Sequence, residues 1–570
     1  MVRRLIRTVL KRVTNPRGRE ITPEDIFLDA SNLPSFNVHQ FEGRLERPIT
    51  ARSLYAFLLV AFLILFGFGT RAFTLQVAEG TTYAKLSENN RLDHALIFSD
   101  RGVIYDRSGA LLAWNEVLPD EPFARRVYTT RDGLAHIVGY LNYPKQDASG
   151  NFFRDSFVAQ AGAEKYFDSR LSGENGLALI EVDAKGEVRS QSAIRPPEAG
   201  RNVTLSVDME LTEALHAALK KRAEGSGFRG GAAIIMDVRT GEIIALSSYP
   251  EYSAQTITDG QDRDAITREL SDQRKPFLNR ALQGLYSPGS VMKPYVAIGA
   301  LEEGLITPET VIVSDGALRL PNPYDPGSFS VFRDWGPLAH GALTVRDALA
   351  VSSNVFFMTA GGGFEGREGL GIERLGEYFR LFGFGTPVSV GGEATPSGTI
   401  PSPEWKAETF DGEIWRVGDT YNTAIGQYGM QASLLQLVRA VSAIANGGVL
   451  YDPVLERGKR AAFSLLPVEE ETLRVVREGM REATRRGTGQ ALNVPFVAVA
   501  TKTGTAELGV AKDYVNSLTT GFFPYEDPRY AFVILMEHGP RSNTIGASAV
   551  MLEALHWMHT NRPEYLGLSD

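Results

Sequence analysis

Tyr286-Ser-Pro-Gly-Ser290-Val-Met-Lys293-Pro294 is the stretch on which the reading of this chain turns. Pro288-Gly289 forces a turn, and the apolar run 295–301 continues as a helix. Ser290 then falls in the first helical turn, with Lys293 one turn on and on the same face. A helix N-terminus presents free N–H groups and a positive end, and both favour a developing anion. An amine held beside the hydroxyl, kept neutral by burial and nearby cations, can take its proton. This is the Ser-Lys version of a nucleophile and its base. Pro294 is tolerated there because its missing N–H had no intrahelical partner.

Ser-x-x-Lys alone is weak, but Lys293 is the only lysine with a serine three residues before it. Two later motifs sharpen the signal. Ser352-Ser353-Asn354 reads as a helix loop, and Lys502-Thr503-Gly504-Thr505 follows a predicted strand at 496–501. Order and placement together make the set specific: turn-to-helix, helix loop, strand. The chemistry assigns roles. Ser290 attacks a carbonyl and Lys293 accepts its proton. Ser352 relays a proton toward a leaving amine, Lys502 adjusts the local charge, and Asn354 orients Lys293 and a substrate amide. Backbone N–H groups of Ser290 and Thr505 form an oxyanion hole. Thr503, Gly504 and Thr505 line the place of a substrate carboxylate. Each residue alone has a plainer reading: Ser352 as a helix cap, Lys502 as a solvated strand-end charge, Thr505 as a β-former.

Around these motifs the pattern predicts an α/β domain over 206–562. A helix over 208–223 carries Leu211, Leu215 and Leu219 at i, i+4, i+8. Strands at 232–238 and 242–247 flank Arg239-Thr-Gly241 as a hairpin, and strands at 518–524 and 530–537 precede a helix over 544–558. The expectation is an antiparallel sheet built from both chain ends, with helices on its faces. Residues 563–570 read as a tail. Residues 72–205 read as a separate spacer of strands and turns with no catalytic cluster.

Between Arg52 and Arg71 runs an uncharged apolar stretch of 18 residues. That is long enough to cross a hydrocarbon core, so 53–71 reads as a transmembrane helix. The arginines and Lys11 of residues 1–52 put that tail in the cytoplasm and the rest of the chain outside, in an extracytoplasmic or periplasmic space. Val2, Leu5, Ile6, Val9, Leu10 and Val13 face one side and the basic residues the other, as in a helix lying on anionic lipid; a disordered arm that only fixes the topology reads equally well. Residues 24–49 read as a tether. Over 570 residues the net charge is −9, which argues against nucleic acid as the partner. There is no cysteine, which excludes disulfides, thiolate metal sites and cysteine nucleophiles. No residue pattern calls for a cofactor.

At its three motifs the chain resembles the class B penicillin-binding proteins, the monofunctional transpeptidases, over roughly 75–560. Arg101-Gly-Val-Ile-Tyr-Asp-Arg-Ser-Gly109 and Gly162-Ala-Glu164 resemble their pedestal, Asn279-Arg280-Ala281 and Ala424-Ile-Gly-Gln427 their catalytic domain. The resemblance implies a multi-domain α+β protein: one membrane helix, a pedestal, and a domain of the penicilloyl-serine transferase or β-lactamase-like fold. It implies acylation of Ser290 by the D-Ala-D-Ala end of a peptidoglycan stem peptide, release of D-alanine, and attack by an amine of a neighbouring stem. β-Lactams would acylate the same serine. Arg333-Asp-Trp335, His340-Gly341, Ile400-Pro-Ser-Pro-Glu-Trp405 and Trp415-Arg-Val-Gly-Asp-Thr420 resemble the elongation type, and imply a SEDS-class membrane glycosyltransferase as partner. Three departures stand out. Only 116–125 separates two pedestal segments where relatives insert a head subdomain. Val291-Met292 replaces the usual Thr-Phe after the nucleophile. Some members bind zinc near the second motif; Asp334 and His340 match two such ligands, but Ser353 stands where a cysteine would be, so the pair reads as structural. A β-lactam sensor or hydrolase of the same fold, or a D,D-carboxypeptidase, remains open on these residues.

Overall fold

A computed structural model describes residues 51–81, 92–119, 121–148, 152–182, 188–322, 325–336, 339–509, 512–543 and 545–568. The basic helix expected over 2–13 and the tether at 24–49 lie outside the described residues. By its internal contacts the chain forms two compact units, 1–91 and 92–570. The first contains helix α1 (Ala51–Phe73), continued by a π-helical turn, Thr74–Ala78. At 1.5 Å per residue α1 is about 35 Å long, enough for a hydrocarbon core of about 30 Å. None of its apolar side chains is buried within the protein. Its hydroxyls are satisfied locally, Thr70 Oγ1 donating to the Phe66 carbonyl at 2.6 Å and Thr74 Oγ1 to the Thr70 carbonyl at 2.9 Å. That is what a span needs where no water competes.

The second unit begins with a three-stranded antiparallel sheet, β1 (Leu92–Ile97), β2 (Gly176–Val182) and β3 (Val188–Arg195), in the order β1-β2-β3. Strands Leu111–Glu116 and Arg125–Tyr128 pair directly with Glu116 opposite Arg125, so the connection at 116–125 is a short link. The pedestal-like residues converge on one buried ionic centre. Glu164 accepts from Arg101 Nε at 2.6 Å and Arg126 Nε at 2.7 Å, and Arg126 also reaches Asn115 Oδ1 at 2.9 Å. All three charged groups are almost wholly buried. Removing one would strand its partner's charge, which typically costs about 3–5 kcal/mol.

The main sheet has five antiparallel strands: β4 (Gly230–Asp237), β5 (Ile243–Tyr249), β6 (Ala500–Leu508), β7 (Tyr514–Phe523) and β8 (Tyr530–Pro540), in the order β5-β4-β8-β7-β6. It is built from both ends of the domain, as the pattern predicts. Strand alternation divides the core in two. Ala233, Ile235, Ile534 and Met536 face α2 (Met209–Ser226) and α10 (Ala547–Asn561). Ala232, Ile234, Val533 and Leu535 face the helical block, in which α8 (Leu434–Ala445) is buried along nearly its whole length. Helix α2 starts at Asp208, whose carboxylate caps Leu211 N at 3.0 Å, and stops at Gly227 with φ +71°. The hydrophobic core continues from the pedestal residues Ile104, Leu112 and Val203 through Leu205 and Val207 into the sheet without a break. Pro563–Leu566 form a 3-10 turn rather than trailing free, and the Tyr565 hydroxyl donates to Asp208 at 2.7 Å.

One strand is displaced from its predicted position. Residues 496–499 are not strand, and β6 instead runs from Ala500 to Leu508, so Lys502-Thr503-Gly504-Thr505 lies on the strand and not after it. The apolar run 496–499 packs from a loop, and pairing with β7 starts only where Ala500 meets Phe522.

Candidate active site

The turn that carries Ser290 is a 3-10 segment, Gly289–Met292, leading into α4 (Lys293–Glu302), which begins with Lys293-Pro294. Its neighbours hold it closely. Gly289 N donates to the Gly426 carbonyl at 2.9 Å and Ser287 Oγ to the same oxygen at 3.1 Å. Tyr286 and Ala432 exchange both backbone hydrogen bonds at 3.0 Å. Gly426 has φ +73°, and a Cβ there would stand 2.2 Å from the Gly289 carbonyl. Only glycine fits, which explains Gly426 within Ala424-Ile-Gly-Gln427. Val291 and Met292 are fully buried, so the departure from Thr-Phe is a matter of packing. On the other side lies the outer edge of β6. A Cβ on Gly504 would come within 2.8 Å of the Pro288 carbonyl, and the Thr505 backbone lies against Gly289.

The second motif joins two helices. Helix α5 (Val345–Val351) ends at Ser352, which takes the left-handed conformation with φ +61°. Helix α6 (Asn354–Gly362) starts at Ser353, whose Oγ accepts from Phe356 N at 3.2 Å. Both lysines converge on Ser352. Lys293 Nζ donates to the Ser352 carbonyl at 2.6 Å, Asn354 Oδ1 at 2.8 Å and Ser352 Oγ at 3.2 Å. Lys502 Nζ donates to Ser352 Oγ at 2.7 Å and the Thr503 carbonyl at 3.0 Å. Both lysines are fully buried. Burial, helped by the Lys502 cation and opposed by the Asp334 carboxylate, holds the Lys293 amine well below its ordinary pKa. Burial pulls Lys502 down to about 7. Two amines of lowered basicity around one hydroxyl are suited to moving protons.

Other residues stand where sequence alone did not place them. Thr503 Oγ1 donates to Thr488 Oγ1 at 2.7 Å, tying the third motif to the turn after α9 (Glu470–Arg486). Trp335 Nε1 donates to the Val351 carbonyl at 2.7 Å, just before Ser352. Arg280, buried, reaches Glu537 on β8 at 2.5 Å and fastens the loop that leads to Ser290. Residues 400–405 and 415–420 meet beside Gly426: Trp405, Phe410 and Trp415 surround Tyr428, and Lys406 pairs with Asp419 at 2.7 Å. Gly-Thr-Gly at 487–489 was the one sequence signal for Thr488; Glu537 left none.

The residues where the resemblance offers zinc do not fit that ion. Both Asp334 carboxylate oxygens are taken, by Ser314 Oγ at 2.6 Å, Ser353 Oγ at 2.9 Å, and the backbone N–H groups of Asn354 and Val355. His340 Nε2 is buried without a hydrogen bond among the described residues, but no group of three His, Cys, Asp or Glu gathers there. One saturated carboxylate, one imidazole and a hydroxyl do not make a tetrahedral zinc centre.

Comparison with known proteins bears on the fold and the family. The penicillin-binding protein dimerisation domain matches residues 121–205. The chain is 27% identical, over an alignment 604 positions long, to the peptidoglycan D,D-transpeptidase MrdA of Escherichia coli K12, covering 87% of this chain and 92% of that one. It resembles penicillin-binding protein 2 of Pseudomonas aeruginosa, solved with WCK 5153, at 27% identity and a TM-score of 0.67, covering 82% of this chain and 97% of that one. A chain from a peptidoglycan synthase complex that coordinates polymerization and crosslinking matches at 26% identity and a TM-score of 0.69, covering 91% of this chain and 99% of that one. Because the penicillin binding protein transpeptidase domain matches residues 231–555, more than half of its length, this chain belongs to the penicillin-binding protein transpeptidase family.

Proposed function

We propose that the chain is a peptidoglycan D,D-transpeptidase of the elongation type. The observation that carries the reading is the convergence of buried Lys293 and Lys502 on Ser352 Oγ, next to the Ser290 turn. A neutral Lys293 amine spends its two N–H groups on the Ser352 carbonyl and Asn354 Oδ1, its two shortest contacts. Its lone pair is then free to accept the Ser290 proton. Ser290 Oγ attacks the penultimate D-Ala carbonyl, and the negative charge gathers on an oxygen held by the N–H groups of Ser290 and Thr505. Ser352, with Lys502 behind it, passes a proton to the departing D-alanine amine. The amine of a second stem then takes the acyl group by the reverse path. Thr503, Gly504 and Thr505, with Lys502 charged, hold the terminal carboxylate.

The relatives support the rest of the reading. A membrane glycosyltransferase of the SEDS class is the partner that fits a relative solved in a peptidoglycan synthase complex. The apolar helix supports a single-pass anchor, and the charges of residues 1–52 support a cytoplasmic N-terminus with the body in the periplasm. A tail over 1–52, a span at 53–71, a pedestal to 205, a catalytic domain over 206–562 and a terminal segment 563–570 follow from the same reading.

A labelled penicillin tests it. The full chain should bind the label covalently, and Ser290→Ala should abolish binding. Label surviving that substitution would refute the mechanism. Rapid release of the label would favour the hydrolase. An alkaline phosphatase fusion at Asp570 should be active; silence would reverse the topology.

A further inference from the structure

The disagreement between the zinc position and this chain's donor set points to a different device. We propose that Asp334, clamped by the hydroxyls of Ser314 and Ser353, is the positioning residue that holds the second motif in register with Lys293 without a metal. The inference rests on the transpeptidase reading above.

The clamp is continuous. Asp334 is anchored by its own N–H, which donates to the Gly316 carbonyl at 2.9 Å. Its Oδ2 receives Ser314 Oγ and Ser353 Oγ, and its Oδ1 receives the first two backbone N–H groups of α6. Asp334, Ser314 and Ser353 are 6%, 1% and 0% exposed, so the carboxylate works where water competes little. A negative charge at a helix N-terminus is also favoured by the helix dipole. The α6 residue so held is Asn354, whose Oδ1 takes Lys293 Nζ and whose Nδ2 donates to the Arg333 carbonyl at 3.1 Å, next to Asp334 itself. The chain just before the motif is pinned by the neighbouring residue, Trp335, through the Val351 carbonyl. Asp334-Trp335 thus grips the Ser352-Ser353-Asn354 loop from both sides. A thiolate at position 353 would repel this carboxylate; a hydroxyl donates to it. The same carboxylate favours the protonated form of Lys293, against burial and Lys502.

The test is the rate at which labelled penicillin acylates the full chain in detergent, measured across pH. Replacing a buried carboxylate that accepts four hydrogen bonds by a neutral amide with one acceptor oxygen predicts a loss of about ten- to a hundredfold in Asp334→Asn. Losing the negative charge also moves the acidic limb of the profile toward lower pH, because Lys293 then gives up its proton more readily. A merely structural defect would not move that limb. Ser353→Ala should lose rate and Ser353→Thr should keep most of it. If Asp334→Asn does not fold, Ser314→Ala, which removes one hydroxyl, should slow acylation several-fold with melting retained. Wild-type rates in Asp334→Asn or, failing that, in Ser314→Ala would overturn the clamp. So would a wild-type enzyme inactivated by chelator and restored by zinc. Failure of the wild type itself to be labelled would instead overturn the transpeptidase reading.

Discussion

Replacing Lys502 by glutamine should make Lys293 more basic, by an amount the site geometry bounds. The two ammonium nitrogens lie 3.2 and 2.7 Å from one atom, Ser352 Oγ, so they stand no more than about 6 Å apart. At an effective dielectric constant of about 20, two unit charges at that distance repel by about 3 kcal/mol, or about two pK units. Lys293 is lowered first by burial and then by Lys502, and only the second contribution vanishes in Lys502→Gln. The variant should also be slow, because it loses the charge behind Ser352. The position of its acidic limb is independent of that loss. Acylation by a fluorescent penicillin, followed by stopped flow from pH 5 to 10 and normalised to each maximum, should show the acidic limb displaced toward alkaline pH by about two units or more. A limb in the wild-type position, or moved toward acid, would refute the claim that the two lysines share Ser352 as electrostatically coupled groups.

Further outcomes follow from the same contacts. Gly426→Ala would place a Cβ 2.2 Å from the Gly289 carbonyl at φ +73°, so acylation should fall at least tenfold while secondary structure by circular dichroism is kept; an unchanged rate would mean that the turn does not depend on this approach. Arg280→Met breaks a buried pair with Glu537 and leaves the Arg274 and Lys275 carbonyls unpaired, which should cost about 3–5 kcal/mol in denaturant unfolding; a loss under about 1 kcal/mol would count against it. Lys502 in the folded protein has its pKa lowered to about 7 from 10.5, so above pH 7 the unfolded chain holds a proton that the folded one has released. Stability should therefore rise between pH 7 and 9, and the slope of melting temperature against pH should be shallower in Lys502→Met; equal slopes would contradict the assignment.

Much of this protein is legible in its sequence because the signals are local. An uncharged apolar run marks α1, leucines at helical spacing mark α2, and the Pro288-Gly289 turn before an apolar stretch marks the start of α4. The three motifs could be picked out because each is a few contiguous residues and their order and placement along the chain make the set specific. The start of β6 was misplaced because residues 496–499 are as apolar and β-branched as a strand. Only pairing with β7 decides that the ladder begins at Ala500. Position 334 was legible as a polar residue near the second motif. Its work depends on Ser314, which nothing in the local pattern marks.

What the sequence determined by itself is the inventory: an apolar helix long enough to cross a membrane, an antiparallel α/β body, a serine with a lysine one turn on, and no cysteine with which to build a thiolate site. What only tertiary structure decided is the charge state and the aim of those groups. Lys293 and Lys502 are ordinary cations until folding removes both from water and brings them to one hydroxyl, and Gly426, Arg280 and Asp334 fix the turns that carry them. Desolvation and close approach arise between residues far apart in the chain, so no local pattern can carry them.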